Sequence, residues 1–216
     1  MHYTLLLIAF TLTFTHLQAN SFENLSLPMT QKMEKNKKEA MVCGNPAIAP
    51  KKLRKEFRYG CFCGKDYPNI QHPSGKSYLS LNHNEKEELI ANYYSIKPYD
   101  TIDETCMRHD ICYISQGTQT QTCNDAFYVE LKKIKKAFKH SVIKKHRHSN
   151  ERRCQNLASD MASVFKTLFT IGEDTSLTRM GAFTANTPIT ISLRLFNRSH
   201  YPRKGEKCLL EGLNDE

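Results

Sequence analysis

Cysteine is the residue type that most constrains how this chain can fold. Eight cysteines stand at positions 43, 61, 63, 106, 112, 123, 154 and 208. An even number of cysteines in an exported chain predicts disulfide bonds. A zinc site is the alternative, because Cys61, Cys63, Cys106 and Cys112 would offer four thiolates. The C-x-C spacing of the first pair is tighter than zinc ligands usually have, so disulfides are favoured.

Residues 1–19 indicate that the chain is exported. This segment contains no Asp, Glu, Lys or Arg, and it carries the apolar run Leu5–Phe10. The pattern is typical of a secretory signal peptide. A membrane-spanning helix is the alternative, but it needs about 20 apolar residues, and threonines and a histidine interrupt this run. We therefore expect a secreted protein.

The charge of the chain favours partners that carry phosphate. Its 216 residues suit one domain with extensions, and the formal net charge is +9. Between Lys132 and Arg153 there are ten Lys or Arg residues and one acid, Glu151, so this stretch alone carries +9. A solvated face and an anionic membrane contact both remain open. Nucleic acid is disfavoured because no aromatic interleaving accompanies the charges.

Hydrophobic periodicity predicts a mainly α-helical chain. Residues 20–42 form a polar leader in which we expect no core. The predicted helices cover residues 84–94, 102–113, 123–139 and 155–170. Asn84 is the predicted N-cap of the first, with Glu87 three positions later. Residues 189–195 alternate apolar and polar side chains, which predicts a short strand inside a C-terminal extension, 155–216.

One predicted helix carries polar residues that require an explanation. Cys106, His109, Asp110 and Tyr113 share one stripe of the segment 102–113. Burying a histidine beside an aspartate is costly unless both side chains have partners or a chemical use. Upstream, residues 59–64 read YGCFCG, a loop whose backbone carbonyls could face a cation. Calcium prefers such oxygen ligands together with a carboxylate.

These two motifs carry a family resemblance. YGCFCG, followed by PYDTIDETCMRHDICY at residues 98–113, closely resembles the calcium loop and active-site helix of secreted phospholipase A2 enzymes. DAFYVELKKI at 125–134 is similar to the second helix of the bacterial members. The resemblance spans roughly residues 57–138. It implies a disulfide-linked antiparallel helix pair with a calcium-binding loop, in a domain that we place at 43–154.

The resemblance also implies residue roles. His109 would be the general base, Asp110 the carboxylate ligand of Ca²⁺, and Tyr113 a brace for the catalytic network. Backbone carbonyls of Phe62, Gly64 and Asp66 would bind the same ion. The family's disulfides around the site would be Cys63 with Cys106 and Cys112 with Cys123.

The chain departs from the family pattern at three places. Asp66 stands where the family usually has glycine, so its side chain could add a ligand. Thr105 replaces the first cysteine of the usual Cys-Cys pair, so one family disulfide is absent. Residues 65–97 form an insert where the family generally has a short link.

The residue that orients His109 is a further departure. The family has an aspartate there, and an ungapped alignment places Asn124 at that position. Phe127, Leu131, Ile134 and Phe138 form the predicted buried stripe of the helix at 123–139. At 100° per residue, Asn124 lies about 50° from the centre of this stripe, and Asp125 about 150° away. We therefore expect Asn124 to face His109, with Asp125 as the alternative partner.

The function that the resemblance implies is calcium-dependent hydrolysis of the sn-2 acyl ester of glycerophospholipids. The expected partner is a phospholipid membrane surface, with its charge left open, and no nucleic acid. The alternative is a phospholipase A2-like protein that binds or perturbs membranes with little catalysis.

Overall fold

A computed structural model describes residues 21–47, 58–64, 68–117, 120–144, 150–169 and 200–210. Three predictions lie outside these residues: the signal peptide at 1–19, the ligand role of Asp66 and the strand at 189–195. The described residues are mainly helical, which confirms the predicted class.

The described elements are six α-helices, one 3₁₀ turn and four short strands. The helices are α1 Phe22–Leu25, α2 Gln31–Lys38, α3 His83–Tyr94, α4 Thr101–Gln116, α5 Gln121–Lys144 and α6 Asn150–Phe169. The strands are β1 Met41–Val42, β2 Arg58–Tyr59, β3 Cys63–Gly64 and β4 Ile96–Lys97, and the 3₁₀ turn is Tyr78–Ser80. β1 pairs with β4 in parallel, and β2 pairs with β3 as an antiparallel hairpin.

Helices α4 and α5 form an antiparallel pair. Gly117, in the left-handed conformation at φ 69°, ends α4 and allows the chain to reverse. A disulfide joins Cys112 to Cys123, while Arg108, earlier in α4, faces Glu130, later in α5. Later residues of α4 therefore contact earlier residues of α5, and earlier residues of α4 contact later ones, as in an antiparallel pair. The predicted apolar stripe of α5 is buried, and it consists of Phe127, Leu131, Ile134 and Phe138.

All eight cysteines form disulfides, so the zinc alternative is wrong. The bonds are Cys43–Cys61, Cys63–Cys106, Cys112–Cys123 and Cys154–Cys208. The second and third are the pairs that the phospholipase A2 resemblance implies. The first anchors the segment after β1 to the β2–β3 turn. The fourth attaches residues 200–210 to α6.

The expectation that the leader has no core is wrong. Phe22 in α1 and Met33 in α2 are only 5% and 1% exposed. The leader is also tied to the body by hydrogen bonds: Leu27 N–H donates to Ser115 Oγ at 3.0 Å, and Asn36 Nδ2 donates to the Ala91 carbonyl at 2.7 Å. The polar composition of the leader does not prevent it from packing on the other helices, because each of its two helices buries one apolar side chain.

The predicted start of α3 is displaced by two residues. Asn82, rather than Asn84, is the N-cap, and its side chain accepts a hydrogen bond from Glu85 N–H. The Glu85 carboxylate in turn accepts from Asn82 N–H, which completes a capping box. Both asparagines have an acid three positions later, so the sequence pattern alone does not separate them.

A buried carboxylate holds the β2–β3 hairpin against α4. Asp103 is fully buried and accepts hydrogen bonds from the backbone N–H groups of Cys61 and Phe62 in the hairpin turn. It also accepts from Tyr99 N–H at 2.8 Å. Gly60, at φ 61°, lies so close that a Cβ atom there would be 2.1 Å from the Asp103 carboxyl carbon. Glycine is therefore required by both conformation and space.

None of the described helices combines the length and the apolar composition needed to cross a membrane.

The Gly60→Ala substitution should lower the free energy of unfolding by about 3 kcal/mol or more. The loss combines left-handed strain with the displacement of a hydrogen-bonded buried carboxylate. Gly75→Ala is the matched control, because Gly75 has a similar φ of 68° and a Cβ atom there would meet nothing within 4 Å. Chemical denaturation measures both variants, and equal losses would contradict the proposed conflict with Asp103.

Candidate active site

The imidazole of His109 is held by the side chain of Asn124. His109 Nε2 lies 3.0 Å from Asn124 Oδ1, across the α4–α5 interface. The hydroxyl of Tyr113 donates to the same oxygen. Because an amide oxygen only accepts hydrogen bonds, this contact assigns the proton to Nε2. Nδ1 is then the basic nitrogen, and it has no hydrogen-bond partner within the described part of the chain.

Position along α5 determines which residue reaches His109. Asn124 is buried on the side of α5 that faces α4. Asp125, the alternative partner, lies on the exposed side, where it accepts a hydrogen bond from Gln121 Nε2 at 3.0 Å. The structure thus brings together His109, Asn124 and Tyr113, and leaves Asp125 outside this group. Their catalytic roles stay predictions.

Aromatic side chains enclose the imidazole of His109, which is only 6% exposed. Phe127 stacks on it at 4.6 Å between ring centroids, and Tyr113 is tilted at 4.3 Å. Phe165 of α6 and Phe22 of α1 present ring edges at 5.4 and 6.5 Å. No sequence pattern indicates that Phe22 lies here. The periodicity of α6 predicts Phe165 only as part of an apolar helix face.

This enclosure changes the acidity of His109. Burial lowers the pKa of the imidazole to about 4, and the hydrogen bond with Asn124 only partly opposes the shift. The neutral form, which can accept a proton, is therefore dominant at every pH well above that value. The site therefore favours the neutral imidazole of His109, which can act as a base, over the imidazolium.

Asp110 follows His109 on α4 and is partly buried. Its carboxylate forms no hydrogen bond or ion pair with other described residues. Burial, with a smaller contribution from the Asp103 carboxylate, holds the pKa of Asp110 well above its ordinary value. A partly buried carboxylate without a partner is unstable in its charged form, and a bound cation would stabilise it.

The candidate calcium loop is fixed next to this helix. The Cys63–Cys106 disulfide joins the loop to α4 one turn before Asp110, and Asp103 binds the loop backbone. Phe62 is buried and Gly64 has a φ of 148°. No group of three or more His, Cys, Asp or Glu side chains suited to a metal occurs within the described ranges. A site of one carboxylate and several backbone carbonyls, as the phospholipase A2 resemblance implies, is a different donor set from such a group of side chains.

The described part of the insert, residues 68–97, packs against the loop. It contains α3, and Tyr93 from this helix stacks on Phe62 with ring centroids 5.8 Å apart. Burial raises the pKa of the Tyr93 and Tyr113 phenols, and the charge of Asp110 adds to the shift of each. The insert is therefore part of the wall around the candidate site.

Thr105 stands where the phospholipase A2 resemblance implies a cysteine. Its hydroxyl donates to the Thr101 carbonyl within α4 at 3.0 Å. The hydroxyl is thus satisfied inside its own helix.

Comparison with protein-family models, curated proteins and solved structures finds no match to this chain. The phospholipase A2 resemblance accordingly depends on the motifs alone.

Replacing Asn124 by Asp should raise the pKa of His109 from about 4. The added carboxylate favours the imidazolium, and an opposite charge at hydrogen-bond distance typically shifts a pKa by roughly 1 to 3 pH units. Titration of the imidazole by NMR measures the change. The Asp125→Asn control should leave the same titration unmoved, since Asp125 lies on the exposed side; a shift in the control alone would contradict the assigned orientation.

The Phe22→Ala substitution should make His109 more reactive toward an acylating reagent such as diethyl pyrocarbonate. Phe22 covers one side of the imidazole, so its removal admits solvent and reagent. Peptide mass mapping reports the rate at His109. Met33→Ala removes a buried side chain from the same leader and serves as the control, because its helix α2 packs mainly on α3. Equal rates in both variants would show that Phe22 does not shield the site.

Proposed function

We propose that this protein is a secreted, calcium-dependent hydrolase of the phospholipase A2 type, which cleaves the sn-2 acyl ester of glycerophospholipids. The observation that carries the proposal is the state of His109. Its Nε2 proton is held by Asn124, and its Nδ1 is left as an unpaired base within the described residues. A base oriented through its second nitrogen is the arrangement that general-base hydrolysis requires.

The proposed reaction begins with proton transfer to His109. Nδ1 takes a proton from a water molecule, and the oxygen of that water attacks the ester carbonyl. The imidazolium that forms shares its Nε2 proton with the amide oxygen of Asn124. When the tetrahedral adduct collapses, the proton on Nδ1 passes to the departing glycerol oxygen, which leaves a lysophospholipid and a fatty acid.

Asp110 would hold Ca²⁺ together with the backbone carbonyls of Phe62, Gly64 and Asp66. When bound, the ion polarises the ester carbonyl and stabilises the developing negative charge. The Cys63–Cys106 disulfide and the hydrogen bonds of Asp103 hold the loop against α4.

The surroundings of His109 suit a lipid substrate. Phe127 and Phe165 are apolar neighbours of the imidazole, and the partly exposed ring of Phe165 offers a surface to an acyl chain. Asn124 stabilises an imidazolium less than a carboxylate would, because an amide carries no net charge. We therefore expect slower turnover than in family members with aspartate at this position.

Secretion is part of the proposal. Four disulfides are typical of proteins that fold in an oxidising compartment.

Fatty-acid release from phospholipid vesicles, with calcium or with chelator, tests the proposal. His109→Gln should lower kcat by about 10²-fold or more while the fold is retained, because the positioned base is lost. Asp110→Asn should abolish the stimulation by calcium. It should also abolish the rise in thermal midpoint that calcium gives the parent protein, which is a readout independent of turnover.

Asp125→Asn is the matched control for Asp110→Asn, since it removes the same charge from an exposed position. Undiminished release by His109→Gln would end the proposed mechanism. Vesicle binding by the parent protein with no release at all would instead favour the membrane-binding alternative.

A further inference from the structure

The exposed side of α5 carries a row of lysines. Lys132, Lys136 and Lys139 are exposed, and at 100° per residue they fall within an arc of about 60°. The arc is centred about 140° from the buried stripe of the same helix. Lys133 and His140 are exposed on its flank. The row therefore points away from the core.

Acidic residues do not neutralise this row. From residue 131 to residue 144, α5 contains no Asp or Glu. Glu130, just before this stretch, pairs with Lys133 at 3.4 Å and faces Arg108 at 3.9 Å. Lys136 and Lys139 have no ion-pair partner among the described residues. Lys132 lies over the ring of Tyr128 at 5.6 Å, which leaves its charge in place.

From this geometry we infer that the lysine face of α5, formed by Lys132, Lys136 and Lys139, docks the protein on an anionic lipid surface. Charge complementarity favours this partner. Among the described residues, about 10 Å of helix presents three lysines that no acidic side chain neutralises, and a lipid surface presents a planar array of phosphates. The inference rests on the proposed function at one point, which is the preference for lipid over other polyanions.

The position of the face determines what it can do for catalysis. His109 contacts Asn124 and Phe127, on the buried side of α5, and the lysines lie on the opposite side of the same helix. They cannot touch the reacting ester in this arrangement. The lysine face therefore acts in membrane binding and has no part in the chemistry at His109.

The test compares two triple variants with equal net charge in the full chain. Lys132, Lys136 and Lys139 are changed to Gln in one. In the control, Lys35, Lys37 and Lys38, which belong to the last turn of α2, are changed to Gln. Both also carry His109→Gln, so lipid hydrolysis does not disturb the measurement. Vesicle co-sedimentation is measured with phosphatidylcholine alone and with added phosphatidylserine, at low and high salt.

We expect binding only with phosphatidylserine, and weaker binding at high salt because exposed charges are screened. A lysine near an anionic surface contributes about fivefold, so the α5 variant should bind about 10²-fold more weakly. The α2 control should stay within about fivefold of the parent.

Three results would overturn the inference. Equal loss in both variants would mean that only net charge matters. Salt-independent binding to phosphatidylcholine would mean that the lysines are not the contact. Binding to duplex DNA, lost in the α5 variant while vesicle binding is absent, would make this a nucleic-acid surface. A failure of the proposed function differs from all three, because it appears as no fatty-acid release by the parent protein.

Discussion

The buried carboxylate of Asp103 is the interaction on which the candidate site depends. It accepts hydrogen bonds from the backbone N–H groups of Cys61, Phe62 and Tyr99. One side chain of α4 therefore binds both the loop and the residues just before α4. Burial raises the pKa of Asp103 to about 6, which shows that the charge is costly here. Hydrogen bonds to a charged group contribute roughly 1.5 to 3 kcal/mol each and offset that cost. This contact and the Cys63–Cys106 bond attach the loop to the helix that carries Asp110.

Local periodicity predicts the parts of the fold that depend on one helix at a time. The stripe of α5 places Asn124 inward and Asp125 outward, because the angle between two residues of a helix is fixed by geometry alone. The prediction for the leader was wrong because burial of Phe22 and Met33 depends on grooves formed by other helices, and no local pattern reports a groove. The Cys43–Cys61 and Cys154–Cys208 pairs could not be assigned from the sequence either, since pairing depends on tertiary proximity.

The surroundings of His109 also combine contacts that local periodicity predicts with contacts that depend on the tertiary fold. Tyr113 shares a helical stripe with His109 and is expected near the imidazole, and Phe127 is expected only on the buried stripe of its helix. Phe22 and Phe165 come from segments far away in the sequence. These two rings complete the enclosure that lowers the pKa of the imidazole. The acidity of the candidate base is therefore a property of the tertiary fold, while its hydrogen bond to Asn124 is a property of one helix pair.

The N-terminus of α4 has a partner that is synthesised much later. Asp100 caps this helix and accepts hydrogen bonds from Tyr59 and from the backbone N–H of Cys208, which lies 108 residues further along the chain. A ribosome that adds about 5 to 20 residues per second needs several seconds to reach that cysteine. During this interval the capping carboxylate lacks one donor, and Cys154 lacks its disulfide partner. The helix that carries His109 and Asp110 is thus completed by residues 200–210, which are made well after the helix itself. Maturation of the candidate site therefore waits for this later segment and does not finish when the α4–α5 helix pair forms.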